Sequence, residues 1–248
     1  MTDSPILYSA PVVRAQLDDR KTQTRRTLET LRRFGKVTEF GRSDTKGYDW
    51  HFRDKGGRWH DLRHAEILPY LPYKIGDRLW VREAVCVDQD VDTDELQLIY
   101  IADRATISLG NRFAVNDEIG ERWWRLYAYR TDNPDIDGGK TVPPIHMPRW
   151  ASRLTNIVTN VRIQRLQDIG EEDAIAEGAW HGGTYNRFAD DLKSSCTPGM
   201  WFPTATDWYP NLWDRINGAG AWAANPWVIA YTFRVIRQNI DQIEEKAA

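Results

Sequence analysis

The sequence predicts a mainly β chain with short helices, an α+β protein built on a small barrel. Three observations predict it. Apolar and polar residues alternate in DRLWVR, LQLIYIA and NPWVIAYTF, and a period of two marks strands. The helical signals are few and short. The spacing also lacks the regular strand–helix alternation of a doubly wound sheet, which favours a small barrel with helices at its ends. The 248 residues read as a single domain, 1–248, with insertions at 31–68, 103–143 and 181–222.

Near the N-terminus Ser9 is placed to cap a short helix with Pro11 just inside its start. Val13 and Leu17, four apart, share that helix's inner face. KTQTRR then turns strand-like, with Thr22, Thr24 and Arg26 in alternation. Residues 31–68 are polar and rich in glycine, with a hairpin turn at Gly56-Gly57. Gly76-Asp77 is a turn, after which Leu79, Val81 and Glu83 share one strand face and Trp80 and Arg82 the other. Residues 96–102 and 123–129 read as strands, with a loop over 103–121. Three prolines keep 141–154 extended or turn-rich. Residues 154–166 form a strand. The clearest helix is 168–180: Gly170 caps it, Glu171, Glu172 and Asp173 fill its first turn, Gly178 stops it, and Ile169 and Ala174 are placed for a hydrophobic staple. After the aromatic-rich insertion, 225–237 is the final strand, and the tail is a polar helix or a frayed end.

Composition narrows the function. Apolar residues make up 41% and charged residues 28%, with 12 Trp, 10 Tyr and 7 Phe, so disorder is excluded as the dominant state. A net charge of −3 and a pI near 6.0 weigh against a dedicated non-specific nucleic-acid binder, while leaving room for a local basic patch. Cys86 and Cys196 cannot build a disulfide framework, and two buried thiols are the favoured reading. With no basic n-region ahead of an apolar run and no apolar stretch of membrane-spanning length, the expected location is the cytoplasm, with no membrane partner.

There is no phosphate-binding glycine loop and no nucleophile elbow. His60 and His64 are four apart but lack a third metal ligand, so a polar loop is favoured over a metal site. What remains is a set of polar residues in unusual places. Lys21 and Thr24 sit where a helix passes into a strand, and a desolvated lysine beside a hydroxyl can act as base to a nucleophile. The competing reading is a solvated edge strand. Glu177 stands at the C-terminal end of its helix, where the dipole disfavours a carboxylate and suits it to passing protons; otherwise it is an ordinary surface glutamate. Glu83, in phase with Leu79 and Val81, is either an inward carboxylate needing a partner from the neighbourhood of Arg82 or Lys21, or a solvated strand end. Most tryptophans read as packing. Trp150, in the proline-held HMPRW, is the one expected near a ligand.

Together DDRKTQTRR, KIGDRLWVRE, LQDIGEEDAIAEGAW and NPWVIAYTF resemble the ASCH domain, a β-barrel related to the PUA RNA-binding fold. Nearly the whole chain resembles a group of phage and prophage ASCH-like proteins, through PILYSAPVVRAQLDDRKTQTRR, GDRLWVRE, HMPRWASR and LWDRINGAGAWAANPWV. One ASCH branch is the compact bacterial amidohydrolases that cleave N4-acetylcytidine. Their lysine, threonine three residues on, and glutamate on the later helix match Lys21, Thr24 and Glu177. The long insertions depart from those compact enzymes.

The resemblance implies hydrolysis of an acyl amide on the exocyclic N4 of a cytidine-type nucleoside. Thr24 is the nucleophile, Lys21 the base and Glu177 the acid, with no metal or cofactor. Arg26 or a backbone amide of the Thr22–Thr24 strand would serve the oxyanion and Trp80 or Trp150 would stack on the pyrimidine; Glu83 and His146 complete the expected substrate-binding set. Three residues apart on a strand point to opposite faces, so Lys21 must belong to the preceding turn. The alternatives are a PUA-like module that binds RNA or DNA at a modified base, with Arg25-Arg26 and Arg32-Arg33 on phosphates, a ribonuclease, or a protein-interaction surface on the Trp-rich insertions.

Overall fold

The structure, a computed structural model, describes residues 1–90, 92–111, 117–128, 141–181, 188–189 and 201–243. In chain order the elements are β1 (Asp3–Leu7), α1 (Ala10–Leu17), β2 (Gln23–Thr27), β3 (Thr30–Leu31), β4 (Gly35–Arg42), β5 (Trp50–Asp54), β6 (Trp59–Leu62), α2 (His64–Ile67), β7 (Arg78–Arg82), β8 (Val85–Gln89), β9 (Glu95–Tyr100), β10 (Thr106–Asn111), α3 (Asp117–Ala128), β11 (Thr155–Arg165), α4 (Glu171–Ala176), β12 (Trp180–His181), β13 (Phe188–Ala189), α5 (Ala205–Asn217) and β14 (Trp227–Ile236). The fold is mainly β with short helices, as expected. Among the described residues no closed barrel is found.

The chain divides into two compact units. The first comprises 1–3, 19–78 and 156–235. In it β11, β14 and β2 lie side by side, and β14 pairs antiparallel with β2, Tyr231 opposite Thr24 and Ala230 opposite Arg25. The insertion at 31–68 forms an antiparallel sheet in the order β3-β4-β5-β6. Its β5–β6 hairpin turns at Gly56-Gly57, where the Gly57 amide donates to Asp54 and φ is +80°, a value a side chain resists. The α4 helix starts after Gly170 and carries three acids in its first turn. Ile169 and Ala174 are both buried, packing with Trp208, Tyr209, Trp213 and Val228.

The second unit comprises 4–18, 79–155 and 236–248. There β8, β9 and β10 form a meander, and β1 neighbours β7. Its core holds Val85, Leu98, Tyr100, Trp123, Leu126 and Met147, with Trp150 packed at the margin. The prolines at 143–148 break the chain into two 3-10 turns, in keeping with the turn-rich reading. Ser9 stands at the N-cap of α1 with Pro at its start, but its hydroxyl makes no capping bond.

Two expectations fail locally, at 123–129 and at 103–121, and one insertion holds an element that was not foreseen. Residues 123–129 do not begin a strand: 117–128 is the helix α3, with Trp123 and Leu126, three apart, both buried. The expected loop at 103–121 contains β10, which pairs with β9. The insertion at 181–222 contains α5, capped by Thr204, whose hydroxyl accepts from the Asp207 amide. Residues 112–116, 129–140, 182–187 and 190–200 of the expected insertions lie outside the described residues, as do Cys196 and the last five residues. Cys86 is buried. Among the described residues no helix is long and apolar enough to cross a membrane.

Candidate active site

Lys21 precedes β2 rather than lying in it, as the convergence argument requires. Its segment is clamped on both sides. The Thr22 amide donates to Ala176 at 2.9 Å, and the Phe233 amide donates to the Thr22 carbonyl at 2.8 Å. An isolated antiparallel bridge pairs Lys21 with Glu177. Glu177 closes α4, its amide still bonded to Asp173. Gly178 then takes φ of +105°, a left-handed turn that glycine adopts without steric cost. Carbonyl and carboxylate of Glu177 both reach Lys21: the ammonium donates to Oε2 at 2.7 Å and to the main-chain oxygen at 3.0 Å. Both residues are buried.

Around this pair stands a network that the sequence reading did not assemble. Arg25 donates to Glu177 Oε1 at 2.9 Å, to Asp173 Oδ2 at 2.7 Å and to Gln23 Oε1 at 2.6 Å. Gln23 donates to Asp173 at 3.0 Å. Arg162 reaches both oxygens of Asp173 at 2.8 Å. Tyr209 of α5 lies beneath the Arg25 guanidinium, 5.8 Å from ring centre to Cζ, and burial, then the Glu177 carboxylate, push its hydroxyl well above its ordinary pKa. A signal for this cluster was present. Gln23 and Arg25 alternate on one strand face, and Asp173 and Glu177, four apart, share one side of a helix.

The electrostatics single out one group. Among the described residues, three cations of this cluster (Lys21, Arg25 and Arg162) meet two carboxylates. Arginine does not release its proton in proteins. Lysine does when desolvated. Burial pulls the Lys21 pKa below its ordinary value, Glu177 opposes, and the Arg26 and Arg25 charges add to the lowering.

Thr24 is buried on β2, where alternation turns its side chain to the face opposite Gln23 and Arg25. Tyr231 is its cross-strand partner. Arg26 shares the Thr24 face, is exposed, and acts on Lys21 electrostatically. Arg25, expected on phosphate, instead faces inward with a side chain shielded from solvent, because two carboxylates bind it.

Trp80, Glu83, His146 and Trp150 belong to the second unit. Trp80 is buried with Arg82 at 5.2 Å from its ring. His146 is exposed and Trp150 half-buried against the core. Glu83 is the inward carboxylate, but neither Lys21 nor Arg82 is its counter-ion: Arg153 grips it at 2.8 and 2.9 Å. Arg153 also holds Asp103 at 2.9 and 3.0 Å and lies 3.9 Å from the centre of the Tyr100 ring. Arg82 turns to the carbonyls of Met147 and Ile145. His60 pairs with Asp54 at 2.9 Å and His64 accepts from the Trp50 indole at 3.2 Å, so each has a partner on β5. No group of three or more metal-binding side chains is placed together among the described residues.

No family model, curated protein or solved structure matches the chain.

Proposed function

We propose that this protein is an amidohydrolase that removes an acyl group from the exocyclic N4 of a cytidine-type nucleoside, on an ASCH-type, PUA-like scaffold. The observation that carries the reading is the buried Lys21–Glu177 contact at 2.7 Å, in a cluster where lysine is the cation able to exchange its proton. Neutral Lys21 takes the proton of the Thr24 hydroxyl as its oxygen attacks the acyl carbon. Glu177 gives a proton to the leaving N4 as the C–N bond breaks, freeing the cytosine base. Water then attacks the threonyl ester, passing a proton back to the pair, and the carboxylic acid leaves with Thr24 restored. Arg26, on the Thr24 face, is suited to the developing oxyanion.

One feature supports the assignment of roles: Lys21 stands before β2, outside its regular alternation, and its ammonium feels the charges of Arg26 on the Thr24 face and of Arg25 on the opposite one. Tyr209 of α5 lies against Glu177, so α5 covers one side of the carboxylate. The experiment is a spectrophotometric assay with N4-acetylcytidine, whose absorbance differs from that of cytidine. Wild type is expected to convert it, and Thr24→Ala to lose turnover by at least the roughly 10²–10⁴-fold typical of such groups. Full activity of Thr24→Ala removes the threonine nucleophile.

A further inference from the structure

The sheet β3-β4-β5-β6 carries charge of the opposite sign to the rest of the chain. Residues 30–67 contain nine Lys and Arg against six Asp and Glu. The remaining residues contain 24 against 30. The surplus is gathered at one end. Because Val37, near the start of β4, lies opposite Asp54, at the end of β5, the β3–β4 turn and the β5–β6 turn fall together. That end presents Arg32, Arg33, Lys36, Arg53, Lys55 and Arg58, all exposed. Of the acids nearby, Glu39 pairs with Arg53 at 3.2 Å and Asp54 with Arg58 and His60 at 3.3 and 2.9 Å, and Asp61, beside the stack, is hydrogen-bonded to Ser43 and His51.

An aromatic stack stands on the same end. Pairing places Arg53 opposite Trp59 and His51 opposite Asp61, so these four share one face of the sheet. The other face is filled by Phe40, Trp50 and Phe52, which pack on one another, with Trp227 against Phe40 and Trp50. Trp59 is 49% exposed. Its indole stacks on the His51 ring with centroids 4.3 Å apart and planes 12° from parallel, and the Arg53 guanidinium lies 5.9 Å from its centre. Beside His51 on β4 is Gly41, where a Cβ would meet nothing within 4 Å. An exposed flat ring, backed by a second ring and bordered by open space, offers a stacking face for another planar group.

We infer that this end of the β3–β6 sheet binds single-stranded nucleic acid, with a base stacked on Trp59 and the backbone phosphates on the surrounding cations. Cations alone would fit any polyanion. The exposed stack selects one with unpaired bases, since a duplex keeps its bases stacked internally. The inference does not depend on the catalytic reading, because none of these residues belongs to the Lys21–Glu177 cluster.

The test is fluorescence anisotropy of the full-length protein with end-labelled 12-nucleotide oligo-U and oligo-dT, the duplex of a matched mixed sequence, and heparin as a competitor, over a salt series. Both single strands are expected to bind, with the duplex weaker. Trp59→Ala is expected to weaken binding by about 5- to 150-fold, the value of one base stacked on an aromatic ring, while Trp59→Phe retains most of it. Arg33→Gln combined with Lys55→Gln is expected to lower the salt slope by roughly 1.4. These side chains are exposed, and circular dichroism checks that each variant folds. The inference is overturned if wild type binds neither single strand at low salt. It is overturned equally if Trp59→Ala and the double variant bind like wild type, or if duplex or heparin binds as tightly with no effect of Trp59.

Discussion

Two buried glutamates in this chain differ in what their partners can do with a proton. Glu83 and Glu177 are each almost wholly shielded and each held by basic side chains. Glu83 faces a guanidinium that grips both its oxygens, is gripped in turn by Asp103, and is stacked on Tyr100. The partner's protons there are fixed, because arginine stays charged at any pH the fold survives. Glu177 faces one arginine and one lysine. The arginine keeps the carboxylate in place, and the lysine can lose or regain a proton. Burial is common to both sites, so it does not mark function. The difference lies in the partner's ability to exchange a proton.

The contrast breaks most visibly in stability. Removing Glu83 leaves the half-buried Arg153 with only the exposed Asp103 as counter-ion, so Glu83→Ala is expected to cost up to about 3–5 kcal/mol, read as a lower denaturant midpoint. A loss within the noise of a surface substitution makes Glu83 dispensable and the contrast false. A smaller effect is expected from Arg153→Lys, which keeps the charge and loses the two-pronged grip, at about 1.5–3 kcal/mol; an unchanged midpoint would show that fork geometry does not matter there.

The smallest effects are in pH dependence, where the two sites carry opposite signs in different windows. The folded pKa of Lys21 is lowered by burial. Between that lowered value and the ordinary lysine range near 10.5, the unfolded chain binds more protons, so Lys21 makes stability rise with pH. Glu83 is raised by burial, against the opposing pull of Arg153. From the ordinary value of 4.5 up to that raised pKa, the folded chain binds more protons, so Glu83 makes stability fall as pH rises. Lys21→Met should flatten the alkaline slope and Glu83→Gln the acidic one. Unfolding free energies across pH give the reading; slopes unchanged in the variants would detach them from these groups.

Much of this was legible in the residues, and the misses have physical causes. The α4 helix announced itself through Gly170, three acids and Gly178, because caps and dipole are local. So were β7, β9, β11 and β14: β9 buries every second residue, while β7 and β14, buried on both faces, show as short apolar runs. α3 was hidden by WWRLYAY, where aromatic and β-prone residues imitate a strand, although Trp123 and Leu126 at spacing three set the true period. α5 was hidden by Pro210 within it, although Ala205, Trp208, Tyr209 and Trp213 recur at helical spacing and are buried. Of the candidate site, Lys21 and Glu177 were singled out by position and joined through the resemblance. Their network of Gln23, Arg25, Asp173 and Arg162 was not assembled, because the spacings that put Gln23 with Arg25 and Asp173 with Glu177 do not say which strand meets a helix about 150 residues away. Trp80, Glu83, His146 and Trp150 lie in the unit that does not contain Lys21, a partition that sequence distance does not encode.

The central claim, that proton exchange by Lys21 is what separates the Glu177 site from the Glu83 site, is tested most directly by Lys21→Arg assayed on N4-acetylcytidine beside wild type. The substitution keeps the positive charge facing Glu177 and removes the exchangeable proton. The account predicts a variant with a near-wild-type unfolding midpoint and turnover reduced by about 10²–10⁴-fold. Turnover by Lys21→Arg equal to wild type, or none by wild type itself, would contradict it.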